Sequence, residues 1–174
     1  SPNENQEKIA HELIDYGADI VIGSHPHVTQ GIEMYNGKPI FYSLGNFIFD
    51  QSNTATHSAY FVKIDLVGNT GECTVYPIYI SNYLPQHMSP EDGSSLLGGL
   101  SPQCSQMQIT DEGTGKLTFN LTDAQGGNDP IFINVTDLVD VYTADGTYIT
   151  LGTDNKFSHK TQTGLPTAAQ GITD

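Results

Sequence analysis

The chain has 174 residues, enough for one domain with a proper core or one domain plus a small appendage. Its formal charge is −14, from 20 acidic residues against six basic ones, and all six are lysines. That balance excludes a nucleic-acid binder, which needs basic patches and leans on arginine for base readout, and it excludes arginine-clamped phosphate recognition. No run approaches 18 apolar residues, so no helical membrane span is expected.

The chain opens at Ser1-Pro2-Asn3, without a Met or a leader. It reads as a piece of a longer protein, any targeting segment lying upstream. Residues 4–16 have helical spacing: Asn3 can cap, Gln6 completes a capping box, and Ile9, Ala10, Leu13 and Ile14 form one apolar stripe up to Gly17. Ile20-Val21-Ile22 then reads as a short buried strand, and Gly23-Ser24-His25-Pro26-His27 as the loop at its C-terminal end, where open α/β sheets place their chemistry. Asn36-Gly37 between residues 32–35 and 39–43 is a type I′ hairpin signal. Leu44-Gly45-Asn46 breaks that strand. Residues 58–66 alternate, and residues 72–80 form their partner across a turn at 68–71. Pro77 argues for an edge or a bulge there.

Residues 82–108 turn polar and rich in Ser, Gly and Pro, with a short helix expected near 91–100. Further strands are expected at 116–122, 131–135, 138–143 and 147–151. A linker is expected at 123–129, an Asp145-Gly146 hairpin turn beyond it, and a frayed tail from Lys156 onward. Cys73 and Cys104 show no zinc spacing; they are either a disulfide or two unrelated buried thiols. Two Asn-x-Thr sequons, at Asn120 and Asn134, add to the acidity and the lack of arginine in favouring an extracellular or cell-surface protein.

His25 and His27 carry the main chemical signal. Two imidazoles at i and i+2 in an extended segment face the same way, and Pro26 stiffens the segment between them. Such a pair suits Mn, Fe or Zn, with Ser24 and Gln30 as supporting partners; the alternative is two loop histidines bonded to nearby backbone. His11, His57, His87 and His159 read as surface or structural residues. Asp137, Asp140, Asp145 and Asp154 read as a solvated face and not as a calcium loop.

The string from Gly17 to Val28, then Gln30-Gly31-Ile32-Glu33, Tyr35-Asn36-Gly37-Lys38 and Tyr42-Ser43-Leu44-Gly45-Asn46-Phe47-Ile48-Phe49-Asp50, closely resembles the CapA or PGA_cap capsule-synthesis family, which handles poly-γ-glutamate. The resemblance is dense over residues 17–51, extends over 2–115 and fades beyond. That family resembles the calcineurin-like metallophosphoesterases, whose last metal motif is Gly-His-x-His; here Gly23-Ser24-His25-Pro26-His27 stands in its place, with one residue inserted before the first His. The resemblance therefore implies that His25 and His27 each ligate one ion of a two-metal centre. It assigns no role to the Leu44-Gly45-Asn46-Phe47 segment; Asn46 and Asp50 are read as candidate catalytic residues lining the same cleft, the alternative being a structural turn. The earlier ligand motifs do not occur before residue 23, so this chain would supply only part of the site.

The expected fold is α+β: the C-terminal half of a metallophosphoesterase-like two-sheet sandwich, mostly antiparallel with one N-terminal helix, over residues 1–122, and a β-rich appendage over 123–174. The expected function is that of a cell-surface capsule-synthesis protein with a divalent transition-metal site, metal-dependent hydrolase-like in the intact parent and inactive as this piece. The alternative is a non-catalytic surface assembly or adhesion module in which the His-x-His loop is structural. Expected partners are the other half of the domain or a second copy, and an anionic polymer reached through bound cations.

Overall fold

A computed structural model describes residues 1–48 and 51–121, and the backbone of four later strands at 132–135, 140–142, 147–151 and 157–161. Asp50, the 123–129 linker and the Asp145-Gly146 turn lie outside the described residues. The chain divides into two compact units, Ser1–Thr136 and Asp137–Asp174.

The first unit begins with helix α1 (Glu4–Asp15). Its capping box forms as the sequence indicates: the Asn3 side chain accepts from the Gln6 N–H, and the Gln6 side chain accepts from the Asn3 N–H, both at 2.9 Å. Ala10, Leu13 and Ile14 are buried, and the chain leaves the helix through Gly17 at φ +107°.

Strand β1 (Ile20–Gly23) follows, then the hairpin of β2 (Ile32–Tyr35) and β3 (Lys38–Phe41). Asn36 and Gly37 both have positive φ, 48° and 75°, as a type I′ turn requires. β1 is not a lone strand beside antiparallel ribbons. It runs parallel to β3 on one side and to β9 (Phe132–Val135) on the other, in a sheet of order β2-β3-β1-β9. Flanked by two strands, it is apolar throughout, as a central parallel strand must be.

The second sheet is antiparallel. A long hairpin, β4 (Ser58–Val67) and β5 (Thr70–Ser81), is followed by β6 (Leu84–His87). Helix α2 (Pro90–Leu100) comes next, then β7 (Gln108–Ile109) and β8 (Gly115–Asn120). The order is β4-β5-β8-β7, with β6 also on β5. α2 starts from a Ser89 cap with Pro at its first turn and lies where the short helix near 91–100 was expected.

Pro77 does not mark an edge: β5 is the central strand. β8 pairs with β5 only as far as Val75, and the pairing with β6 runs from Ser81 back to Ile78, where β6 ends. Pro77 falls in the gap between these two neighbours, where its missing N–H breaks no ladder bond and its carbonyl accepts from Met88 at 3.2 Å.

The two sheets face each other across one core. Ile20, Ile32 and Phe41 from the first sheet meet Tyr60, Cys73, Val75, Leu117 and Phe119 from the second, with Leu97 of α2 and Cys104 closing the side. Val21 and Ile40, neighbours in register, are buried on the other face of the first sheet, on β1 against which α1 packs. A buried ion pair pins the rim: Lys38 reaches Asp19 at 2.5 Å and also donates to the Asn120 carbonyl.

The second unit contains an antiparallel sheet, β10 (Asp140–Tyr142), β11 (Thr147–Leu151) and β12 (Phe157–Thr161). Residues 157–161, placed in the tail expected to fray, pair with β11 over its whole length. The alternation of Phe157, His159 and Thr161 was the signal for this strand.

Candidate functional site

The His-x-His loop leaves the C-terminal end of β1 through Gly23. That glycine is required by contact: a Cβ there would stand 2.3 Å from the Tyr42 carbonyl oxygen of the neighbouring chain segment. The loop is also held by the Leu44 N–H, which donates to the Gly23 carbonyl at 3.2 Å. The first and second glycine-bearing segments, 23–27 and 43–46, are thus brought side by side.

The loop is not extended. His25 has φ +93° and His27 φ +61°, both in the left-handed region, against the expectation that Pro26 would hold His25 extended. Each such non-glycine residue costs about 1–3 kcal/mol unless its surroundings fix it. The two rings nevertheless lie close, with centroids 6.0 Å apart and planes tilted by 47°. Proximity is achieved by two left-handed residues and not by strand alternation.

Asn46 fixes the second ring. His27 Nδ1 lies 2.8 Å from Asn46 Oδ1, and the Asn46 side-chain amide donates to the Thr56 carbonyl at 3.4 Å. The Thr56 carbonyl accepts only, so the amide must turn its NH₂ that way and its oxygen toward the histidine. His27 therefore carries its proton on Nδ1, and the lone pair of the neutral ring sits on Nε2. Asn46 is buried, and Thr56 is held in a short 3-10 turn at Thr54–Thr56 capped by Asn53. An orienting bond of this kind on the far nitrogen is what a metal-ligating imidazole uses. Asn46 is thus a positioning residue. Thr56 contributes through a backbone carbonyl, which no residue type in the sequence announces; the Asn53-x-x turn was the available signal.

The supporting roles expected of Ser24 and Gln30 are not both met. Gln30 is buried, but its side chain bonds with Gln6 and with the Ser1 carbonyl, tying down the start of α1. His11 is structural as expected: Nε2 contacts both oxygens of Glu33 at 3.0 and 3.1 Å, and its ring stacks on Tyr35. Tyr42 donates to the same carboxylate at 2.6 Å; burial first, then Glu33, pushes its phenol well above the usual range. His57 contacts the Gln51 carbonyl at 2.6 Å, and His87 stands beside Phe61 and Tyr76. Cys73 and Cys104 are free, buried thiols.

Among the described residues, no group of three or more His, Cys, Asp or Glu converges as a metal site. The His25–His27 pair has ligand chemistry and one fixed tautomer, but two imidazoles do not complete a coordination shell. The pair fits as part of a centre.

An α+β sheet-on-sheet unit, with a histidine pair at the end of a parallel strand, defines the class structurally. The comparisons place it. Residues 1–51, which hold His25, His27 and Asn46, match the family described as bacterial capsule synthesis protein PGA_cap. Over 123 residues the chain is 49% identical to the PGA biosynthesis protein CapA of Bacillus subtilis, covering 69% of this chain and 32% of that protein. It is 43% identical to the capsule biosynthesis protein CapA of Bacillus anthracis over 86 residues, covering 49% of this chain and 21% of that protein. It is 32% identical to a probable polyglutamine synthesis accessory protein of Mycobacterium tuberculosis over 92 residues, covering 48% of this chain and 24% of that protein. The chain spans a third or less of these relatives' length. Residues 1–51 carry the PGA_cap match, and the chain is similar to a segment of CapA.

Proposed function

We propose that this chain is part of a capsule-synthesis protein of the cell envelope, acting in the production of a polyglutamate capsule, and that His25 and His27 are its contribution to a divalent-metal centre. The relatives are named as capsule and PGA biosynthesis proteins, which supports the capsule role. The observation that carries the metal reading is the His27–Asn46–Thr56 chain, which spends a buried amide on holding one imidazole with its lone pair on Nε2.

The remaining ligands come from residues outside the described ones, in keeping with the metallophosphoesterase-like sandwich that the family resemblance implies. A bound divalent ion would supply Lewis-acid polarisation and an activated water. This chain's own part is to present two imidazoles from a strained loop, with Asn46 fixing the second. Asp50 is proposed to line the same cleft. On its own the chain is proposed to be inactive.

The negative charge of the chain, −14, opposes direct contact with an anionic polymer, so the polymer is proposed to be reached through bound cations. The test is elemental analysis of a CapA-length protein containing this chain, with and without His25→Ala and His27→Ala. Metal lost with the histidines supports the centre. No metal in either protein would leave the loop structural and favour a non-catalytic role in capsule assembly.

A further inference from the structure

The second sheet has an outer strand whose sequence is self-complementary. Among the described residues β4 is the terminal strand of the order β4-β5-β8-β7. Its pairing with β5 runs without a bulge from Ser58↔Tyr79 to Val67↔Thr70. The Tyr60 N–H turns away from β5 and donates to the Leu44 carbonyl at 3.0 Å. In an antiparallel ladder that parity repeats every second residue, so the N–H and C=O groups of Val62, Ile64 and Leu66 also point outward. Leu44 covers the edge at Tyr60 and the turn begins at Gly68, so among the described residues 61–67 are the span of the edge left uncovered, with Ile64 at its midpoint.

We propose that this edge binds a second copy of the chain, β4 against β4 in antiparallel register, with the two-fold axis at Ile64. Ile64 then exchanges both backbone bonds with its counterpart, and Val62 and Leu66 do so with Leu66 and Val62 of the second copy. The side chains agree with that register. Val62 and Ile64 pack on the rim of the main core, and Leu66 is 39% exposed beside them. Pairing Val62 with Leu66 and Ile64 with itself continues this apolar row across the join. Phe61 meets Val67, which is 78% exposed in the single chain.

Charge selects the register. Lys63 and Asp65 lie on the opposite face, both exposed, and contact each other at 2.7 Å along the strand. With the axis at Ile64, Lys63 stands opposite Asp65 of the second copy, twice over, in the closely spaced non-hydrogen-bonded positions. Sliding one strand by two residues in either direction keeps the backbone parity but sets Lys63 on Lys63 or Asp65 on Asp65. Edge strands are commonly protected by a lone charge that repels a copy. A lysine and an aspartate two residues apart do the reverse under a two-fold axis. The inference rests on this edge alone and is independent of the metal reading.

The test is sedimentation equilibrium of the full 174-residue chain over a wide concentration range, with Lys63→Glu, Asp65→Lys and the double swap. The unaltered chain is expected to form a reversible dimer. Each single variant places two like-charged pairs across the axis and is expected to weaken the dimer at least about tenfold. The double swap restores opposite pairs and recovers it. Circular dichroism confirms that these exposed substitutions leave the fold intact. A chain monomeric at every concentration would overturn the proposal, and so would a dimer that the single variants leave unchanged or that the double swap does not recover.

Discussion

His27 Nδ1 stands 2.8 Å from Asn46 Oδ1, a side-chain contact between the loop after β1 and the segment after β3. It orients a ring whose backbone is left-handed at φ +61°. Asn46→Ala is expected to remove the bond that selects the Nδ1 tautomer, so that His27 samples both. Long-range ¹⁵N–¹H NMR of the histidine rings checks this: in the unaltered chain Nδ1 is protonated and Nε2 is bare, and the variant shows averaged shifts. Where a metal is held, the same substitution should weaken its binding about 10–100-fold, the usual cost of losing an orienting partner. Asn46→Asp keeps the acceptor and should keep the tautomer.

Gly23→Ala tests how the loop is seated. The added methyl would stand 2.3 Å from the Tyr42 carbonyl oxygen, a backbone atom that cannot rotate aside. β1 must shift against the 42–44 segment, at a cost of about 1–3 kcal/mol, as overpacking elsewhere costs. Urea unfolding gives the stability, and the histidine spectra should move with it because the loop begins at this residue.

Lys38→Met removes the cation from the Asp19–Lys38 pair. Asp19 is buried, and its carboxylate would keep its place with the ammonium gone. The expected loss is about 1–3 kcal/mol, the cost of taking one donor from a buried acceptor. Replacing both residues, Asp19→Leu with Lys38→Met, should cost less than the single change. Denaturant midpoints for the three proteins decide it.

Stability should fall on the alkaline side. Burial, with Cys104 and Glu72 adding to it, pushes the Cys73 thiol up to about 12, and burial raises Cys104 as well. Tyr60, fully enclosed, and Tyr42 are raised above the ordinary phenol range. These groups ionise first in the unfolded chain, so the native state holds more protons and loses stability as pH rises. The loss begins near pH 9 with the thiols and steepens near 10 as unfolded tyrosines ionise, each group contributing up to about 1.4 kcal/mol per pH unit. Replacing both cysteines by Ala should flatten the curve between pH 9 and 10 and leave the steeper part above it.

Local chemistry was legible where one residue type dictates one geometry. Asn3 with Gln6 announced the start of α1, and Asn36-Gly37 announced the β2–β3 turn. Nonlocal pairing was not legible in the same way. Nothing in Ile20-Val21-Ile22 says that residues 132–135 will lie parallel to it, because the pairing spans more than a hundred residues and leaves no local signal. Pro77 pointed to an edge because a proline donates no N–H, yet the strand is central and the proline sits where one neighbour stops and another starts. The histidine pair was found by residue type, but its geometry was not, since a residue before proline is ordinarily extended and His25 is not. The partner that fixes Asn46 is a main-chain carbonyl, and any residue at position 56 would carry one.

The most direct measurement is the metal content of a CapA-length protein containing this chain, by elemental analysis at a pH where histidine is neutral, beside its His25→Ala/His27→Ala variant. The account predicts bound divalent transition metal in the first and its loss, fully or in large part, in the second. A folded protein that holds no metal, or holds the same amount without the two histidines, would contradict it.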